Sequence, residues 1–284
     1  MEIKATEVKK LRDKTGAGMM ECKKALVDAS GDFAKAEKIL KELGLAAAEK
    51  RMGRATNEGR IFIKTAGSKT AVLELSCETD FVAKNDGFQK LGKNLVDLVI
   101  SENAKEKTKS MDEAIVGTVS IIKENITLRR FVTKEAAAGE FFTEYLHGEG
   151  RIGVIVKMKA DNSEARDNPA VKDLAFNLAL HIAAFAPKYL SEDKVDNAYV
   201  KEQEEIFQKQ AASLGKPANV LEGIVKGKIK KHFSEICLLD QNYVRDEKFQ
   251  VKAILEKVGK EVGSKLSITD YIYCKVGEEL PGQE

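Results

Sequence analysis

The chain has no surplus of charge of either sign: 47 Lys and Arg stand against 45 Asp and Glu over 284 residues, a formal charge of +2. That balance excludes a general attraction to nucleic acid or anionic membrane, so a partner has to be recognised by shape and local charge. Cysteine is scarce. Cys22, Cys77, Cys237 and Cys274 form no Cys-x-x-Cys pair and sit in apolar or helix-like surroundings, the pattern of buried thiols in a cytosolic protein. Long apolar runs are missing as well. The most apolar helical stretch, Val171 to Pro187, is interrupted by Lys172, Asp173, Asn177 and His181, which makes it a core helix rather than a membrane span. The opening Met1-Glu2-Ile3-Lys4-Ala5-Thr6-Glu7 has neither the apolar core of a signal peptide nor the acid-poor character of a transit peptide, so a cytoplasmic location is expected.

The usual signs of catalysis and cofactor binding are lacking too. His147, His181 and His232 show no His-x-x-x-His and no cysteine at metal spacing, so no metal site is expected. Gly148-Glu149-Gly150-Arg151-Ile152-Gly153 spells G-x-G-x-x-G, but Val154-Ile155-Val156 after it reads as a strand where a dinucleotide site needs a helix; these glycines read as a hairpin turn. Gly67-Ser68-Lys69-Thr70 only mimics the end of a phosphate-binding loop, because Ser68 separates the glycine from the lysine. A Cys77–His147 nucleophile pair is conceivable, but no third orienting group is indicated. The expectation is therefore a non-enzymatic binding protein with no cofactor, no direct nucleotide binding, no nucleic acid and no membrane partner.

What is present is a modular α+β chain. With 43% hydrophobic and 32% charged residues, 284 residues suit two or three modules with cores of their own. Residues 4–50 read as three short helices. Val8 and Leu11 share a face, Thr15-Gly16-Ala17-Gly18 breaks the first helix, and Phe33, Ala36, Ile39, Leu40 and Leu43 mark the third up to an expected stop at Gly44. Met19 and Met20 are adjacent, so at least one is expected at the surface as a soft contact residue. A hairpin follows, Arg60 to Lys64 and Thr70 to Cys77, then amphipathic helices through Phe88, Leu91, Leu95 and Leu98 and through Ile115, Val119 and Ile122.

The same order recurs about 83 residues later. Asn85, Phe88, Leu91, Asn94, Leu95 and Val99 match Asn168, Val171, Leu174, Asn177, Leu178 and Ile182 at constant offset, and Arg151 to Lys157 stands where Lys69 to Leu75 stood. Glu78-Thr79-Asp80-Phe81-Val82-Ala83-Lys84-Asn85 thus projects a polar-aromatic tip from a strand end. By position, Phe81 reads as a core residue at a strand-to-helix corner. The second copy, however, has Asn162-Ser163-Glu164-Ala165 opposite Thr79-Asp80-Phe81-Val82 and turns the corner without an aromatic, so both readings stay open. Ser191 to Val244 reads as a strandless helical hairpin, with one stripe of Tyr199, Gln203, Ile206, Gln210 and Leu214 and a return through Val220, Ile224, Phe233, Ile236 and Leu239. Lys226, Lys228, Lys230 and Lys231 are flanked by Glu222 and Glu235 and read as a solvated face. Val251, Ile254, Leu255 and Val258 suggest a helix, and Leu266 to Val276 a last strand joining the second sheet.

Two segments, Leu11-Arg12-Asp13-Lys14-Thr15-Gly16-Ala17-Gly18-Met19-Met20-Glu21-Cys22-Lys23-Lys24-Ala25-Leu26 and Glu78-Thr79-Asp80-Phe81-Val82-Ala83, resemble the two signatures of the bacterial translation elongation factor Ts family. The resemblance continues through Glu124-Asn125-Ile126 with Arg129-Arg130, His147 with Arg151 to Val154, and Lys228 to Gln241. It implies an amino-terminal ubiquitin-associated-like three-helix domain at 1–53, a core subdomain at 54–139, a second related antiparallel-sheet-plus-helix subdomain at 140–190 and 231–284, and a protruding coiled-coil hairpin at 191–230. The implied activity is guanine nucleotide exchange on elongation factor Tu in its GDP-bound and nucleotide-free forms. By the same resemblance, Asp80 and Phe81, within Thr79 to Val82, enter the partner's G domain near its Mg²⁺ and phosphates. Arg12, Met19 and Met20 hold that domain from another side, and His147 assists. Two departures stand out: Lys123 occupies a position where the family usually has glycine, and the chain is expected to lack a further carboxyl-terminal helical module that some members carry. Competing expectations are an RNA-associated translation module using Lys226 to Lys231 with Arg129-Arg130, and a structural adaptor.

Overall fold

In the computed structural model, which describes residues 3–215 and 217–280, the amino-terminal segment forms α1 (Ala5–Thr15), α2 (Met19–Asp28) and α3 (Phe33–Glu49). Val8 and Leu11 meet Cys22, Ala25, Leu26 and Ala36 in a small core that Phe33, Ile39 and Leu40 flank. Gly16 ends α1 in the left-handed region at φ 70°, its N–H donating to Arg12 O at 2.7 Å. Asp32 caps α3 by accepting from Lys35 N at 3.0 Å. The expected stop at Gly44 is wrong: α3 continues through it to Glu49. A Cβ on Gly44 would stand 2.8 Å from Ser120 Cβ of α6 (Lys109–Ile122), so this glycine permits a close helix crossing, and the alanines after it sustain the helix.

β1 (Glu58–Ala66) pairs antiparallel with β2 (Lys69–Cys77) from Glu58↔Cys77 to Ala66↔Lys69, turning through Gly67-Ser68. The central strand β2 lies between β1 and β3 (Ile126–Glu135). Behind β2 come the single-turn α4 (Asp80–Ala83) and α5 (Asp86–Ser101), and Phe62, Leu73, Leu75, Phe88, Leu95 and Met111 fill the core. The second sheet has the order β4-β5-β8, from β4 (Glu140–His147), β5 (Ile152–Ala160) and β8 (Leu266–Lys275). After β5 come the short α7 (Ser163–Asp167) and then α8 (Pro169–Phe185), whose Val171, Leu174, Leu178 and Ile182 are buried. With both sheets antiparallel and the helices segregated from them, the fold is α+β.

The duplication extends to the caps. Thr79 Oγ1 accepts from Val82 N at 3.3 Å and Asn162 Oδ1 from Ala165 N at 2.6 Å; Asn85 Oδ1 accepts from Gly87 N at 2.7 Å and Asn168 Oδ1 from Ala170 N at 2.9 Å. Each copy therefore leaves its strand through one capped helical turn before the long helix starts.

α9 (Asn197–Ala212) and α10 (Ala218–Ile236) pair as the hairpin, and β6 (Asn242–Tyr243), β7 (Asp246–Gln250) and α11 (Val251–Glu261) follow. The two-residue β6 falls inside the span read as strandless. The stripe read on α9 also needs correction. Ile206 and Leu214 are exposed, and the inward face carries Phe207 and Ala211. Phe207 draws the helix round, because its ring meets His232 edge-on at 5.9 Å and lies under Lys228 Nζ. The chain forms two compact units: one holds the chain up to Lys134 with Gly148–Ile152 and the chain from Cys274 on, the other Glu135–His147 and Gly153–Tyr273.

Candidate functional site

β2 delivers the chain to the tip with its last residue, Cys77, buried, and Thr79 leaves the sheet in an extended conformation that lets its hydroxyl cap α4. One helical turn then sorts four side chains. Ala83 points into the core, Val82 packs against it, Asp80 is half-buried, and Phe81 is 81% exposed, the most exposed phenylalanine among the described residues. Of the two readings of Phe81, the core reading is excluded. Leaving such a ring in water forgoes roughly 1.5–3 kcal/mol of burial, and nothing inside the fold compensates.

The turn carrying this ring is fixed at both ends. Thr79 donates its N–H to Glu124 Oε2 at 3.1 Å and its hydroxyl to Glu124 Oε1 at 2.7 Å, while Cys77 Sγ donates to Thr79 O at 3.2 Å. Downstream, Arg60 Nε donates to Ala83 O at 2.6 Å and Arg60 Nη1 to Glu149 O at 2.7 Å. Among the described residues Asp80 pairs with Lys84 alone, at 3.3 Å and exposed, so its carboxylate is available to another molecule. Burial, then the nearby Glu124 and Glu58, push the Cys77 thiol up to about 12, which leaves it protonated and a poor nucleophile.

Arg12, Met19 and Met20 gather where the last turn of α1 meets the first turn of α2. All three are exposed, Met20 at 75%. Glu21 Oε2 accepts from Gly18 N at 3.0 Å and stabilises the start of the methionine-bearing helix. A groove of about 1010 Å³ runs from Ala17 at this corner to Val82 and Asn85 at the tip, past Leu40, Leu45 and Ile121. His147, in the other unit, ends β4 exposed, its Nδ1 2.9 Å from Tyr145 OH; the Tyr145 ring meets Phe176 edge-on at 5.7 Å.

Several charged residues considered from sequence are already engaged. Arg129 and Arg130 both bind the buried Glu74, at 3.0 and 2.8 Å, and Arg130 also binds Glu278 at 2.6 Å. Lys226 pairs with Glu222 at 2.7 Å, and Lys228 donates to Gln210 at 2.8 Å. All four cysteines are free and buried. Among the described residues, no three His, Cys, Asp or Glu side chains are placed to hold a metal ion, and no helix is long and apolar enough to cross a membrane. Sequence reasoning gave no role to Glu124 or Glu21. Both lie within the segments that carry the family resemblance, and their local signals are a Glu-Asn pair just after a helix and a carboxylate at the third position of another.

The α+β chain thus holds an aromatic ring and a carboxylate outward on a clamped helical turn. The family model described as elongation factor TS matches residues 78–278. An elongation factor Ts of Treponema denticola is 47% identical over 98% of this chain and 99% of its own length, and one of Borreliella burgdorferi is 44% identical over 97% and 99%. The chain belongs to the elongation factor Ts family of translation elongation factors.

Proposed function

We propose that this chain is a guanine nucleotide exchange factor in translation elongation: it binds elongation factor Tu carrying GDP, promotes GDP release and holds the nucleotide-free form until GTP binds. The observation that carries the reading is Phe81, exposed beside an Asp80 held only in a surface pair with Lys84, on a turn fixed from both sides. The thermodynamics is linkage. A factor that binds the empty G domain more tightly than the GDP-loaded one must lower GDP affinity by the same ratio. No covalent bond is made or broken.

In this reading Phe81 wedges apolar area between partner elements, and Asp80 competes for donors or repels phosphate oxygens. Disturbing the partner's Mg²⁺ removes the largest charge that neutralises the phosphates, and GTP reloads by mass action. Thr79 and Val82 seat the tip. Arg12, Met19 and Met20 grip the same G domain from the helical corner, and His147 adds a contact from the other unit.

Release of a fluorescent GDP from elongation factor Tu in stopped flow tests this. Wild type accelerates release, and Phe81→Ala loses tenfold or more, on the order of the 2 kcal/mol typical of an interface hot spot. A wild type without effect would end the proposal. The RNA-module reading is weakened because Arg129 and Arg130 are committed to Glu74.

A further inference from the structure

The turn after α6 supplies Glu124 to the clamp on Thr79 and is heavily bonded in two directions. Lys123 ends the helix in the left-handed region, at φ 67° and ψ 22°, a conformation that glycine takes freely and lysine does not. Its ammonium lies 2.6 Å from Glu21 Oε1, and its carbonyl accepts from Arg51 Nε at 3.0 Å. Glu124 accepts both Thr79 donors with its two oxygens. Asn125 is buried; its N–H donates to Glu78 Oε1 at 2.6 Å and its Nδ2 to Arg54 O at 2.8 Å. Three consecutive residues thus reach α2 and the chain just after α3, as well as Glu78 and Thr79, the two residues that precede Asp80. Glu21, the anchor on α2, directly follows Met20 and bonds Gly18 with its other oxygen.

We propose that Lys123-Glu124-Asn125 is a positioning segment for exchange: it fixes the spacing between the Met19–Met20 corner and the Asp80–Phe81 tip, so that both engage one G domain without either having to be ordered on binding. The proposal rests on the exchange reading. In this chain the strained backbone of Lys123 carries a side chain that links to α2, a link glycine cannot make. It also separates two effects. The corner, as a grip, governs how much factor is needed; the orientation of the tip governs how fast GDP leaves once the factor is bound.

The test uses Glu124→Gln, which keeps the shape of the side chain but replaces one accepting oxygen with an amide nitrogen that cannot accept. At saturating factor, the maximal rate of GDP release is expected to fall roughly tenfold, with the half-saturating concentration changing by less than about threefold. Thr79→Val, which removes the hydroxyl that donates to Glu124, is expected to resemble Glu124→Gln. A second readout needs no partner. The chain has no tryptophan, so Phe81→Trp places a single reporter on the tip. Adding Glu124→Gln to it should increase the fast component of its fluorescence anisotropy decay, while the far-ultraviolet circular dichroism stays that of a folded chain.

An unchanged anisotropy decay, or an unchanged maximal rate in Glu124→Gln, overturns the positioning role. If wild type fails to accelerate release, the exchange reading fails instead, and the anisotropy still decides whether Glu124 orders the tip.

Discussion

At the scale of single residues, the tip separates what the fold needs from what a partner needs. Phe81 contributes almost no burial, so Phe81→Ala should change the free energy of unfolding by less than about 0.5 kcal/mol while it impairs exchange. Urea denaturation beside the exchange assay checks this, and a large loss of stability would mean that the ring is structural after all. His181 is the opposite case, fully buried and bonded on both sides. Val244 N–H donates to its Nδ1 at 3.2 Å, which leaves Nε2 to donate to Gln241 Oε1 at 2.9 Å, a neutral ring with one defined tautomer. Burial holds its pKa below the ordinary 6.5, against the smaller raising effect of Gln241. The unfolded chain therefore takes up a proton that the folded chain refuses. The stability this site contributes is complete above about pH 6.5 and is lost as pH falls toward the folded value. The urea midpoint should drop between about pH 7.5 and 5.5, and His181→Asn should flatten that profile though it lowers stability throughout; an equally steep profile in the variant would contradict the assignment.

At the scale of elements, packing decides what a glycine means. Gly44 lies where α3 crosses α6, against Ser120, whereas an added Cβ on the exposed Gly117 of α6 meets nothing within 4 Å. Gly117→Ala should therefore raise stability by about 0.5–1 kcal/mol through helix propensity, while Gly44→Ala gains nothing or loses about 1–3 kcal/mol to overpacking. Thermal melts of the two variants, with a raised midpoint for Gly117→Ala and an unchanged or lowered one for Gly44→Ala, check this. The same contrast shows what the sequence made legible. The repeat could be read because Asn85 and Asn168 are real caps in front of real core stripes. The stop at Gly44 was misread because the helix crossing it serves leaves no local mark. β3 and β4 went unread from their residues because both are edge strands with largely half-exposed side chains, which blurs the alternation that marked β2. Phe81 was legible as a place and not as an exposure, since a Phe at a strand-to-helix corner has the same letters whether its ring turns in or out.

At the scale of the whole molecule, balanced charge and committed arginines favour a partner recognised through apolar contact over one held by phosphate charge. Factor-stimulated GDP release should therefore weaken only mildly between about 50 and 200 mM salt, where a chain making 6–10 phosphate contacts would lose roughly 10³–10⁵ in affinity. Titrating salt in the exchange assay distinguishes the two. The amino-terminal helices and the tip belong to one compact unit, so a grip and a wedge can act on the same partner. The most direct measurement is the rate of fluorescent GDP release from elongation factor Tu at saturating wild-type chain, compared with Phe81→Ala and Asp80→Ala. Strong acceleration by wild type, much reduced in both variants, is the expected result; no acceleration by wild type, or full acceleration by Phe81→Ala, would contradict it.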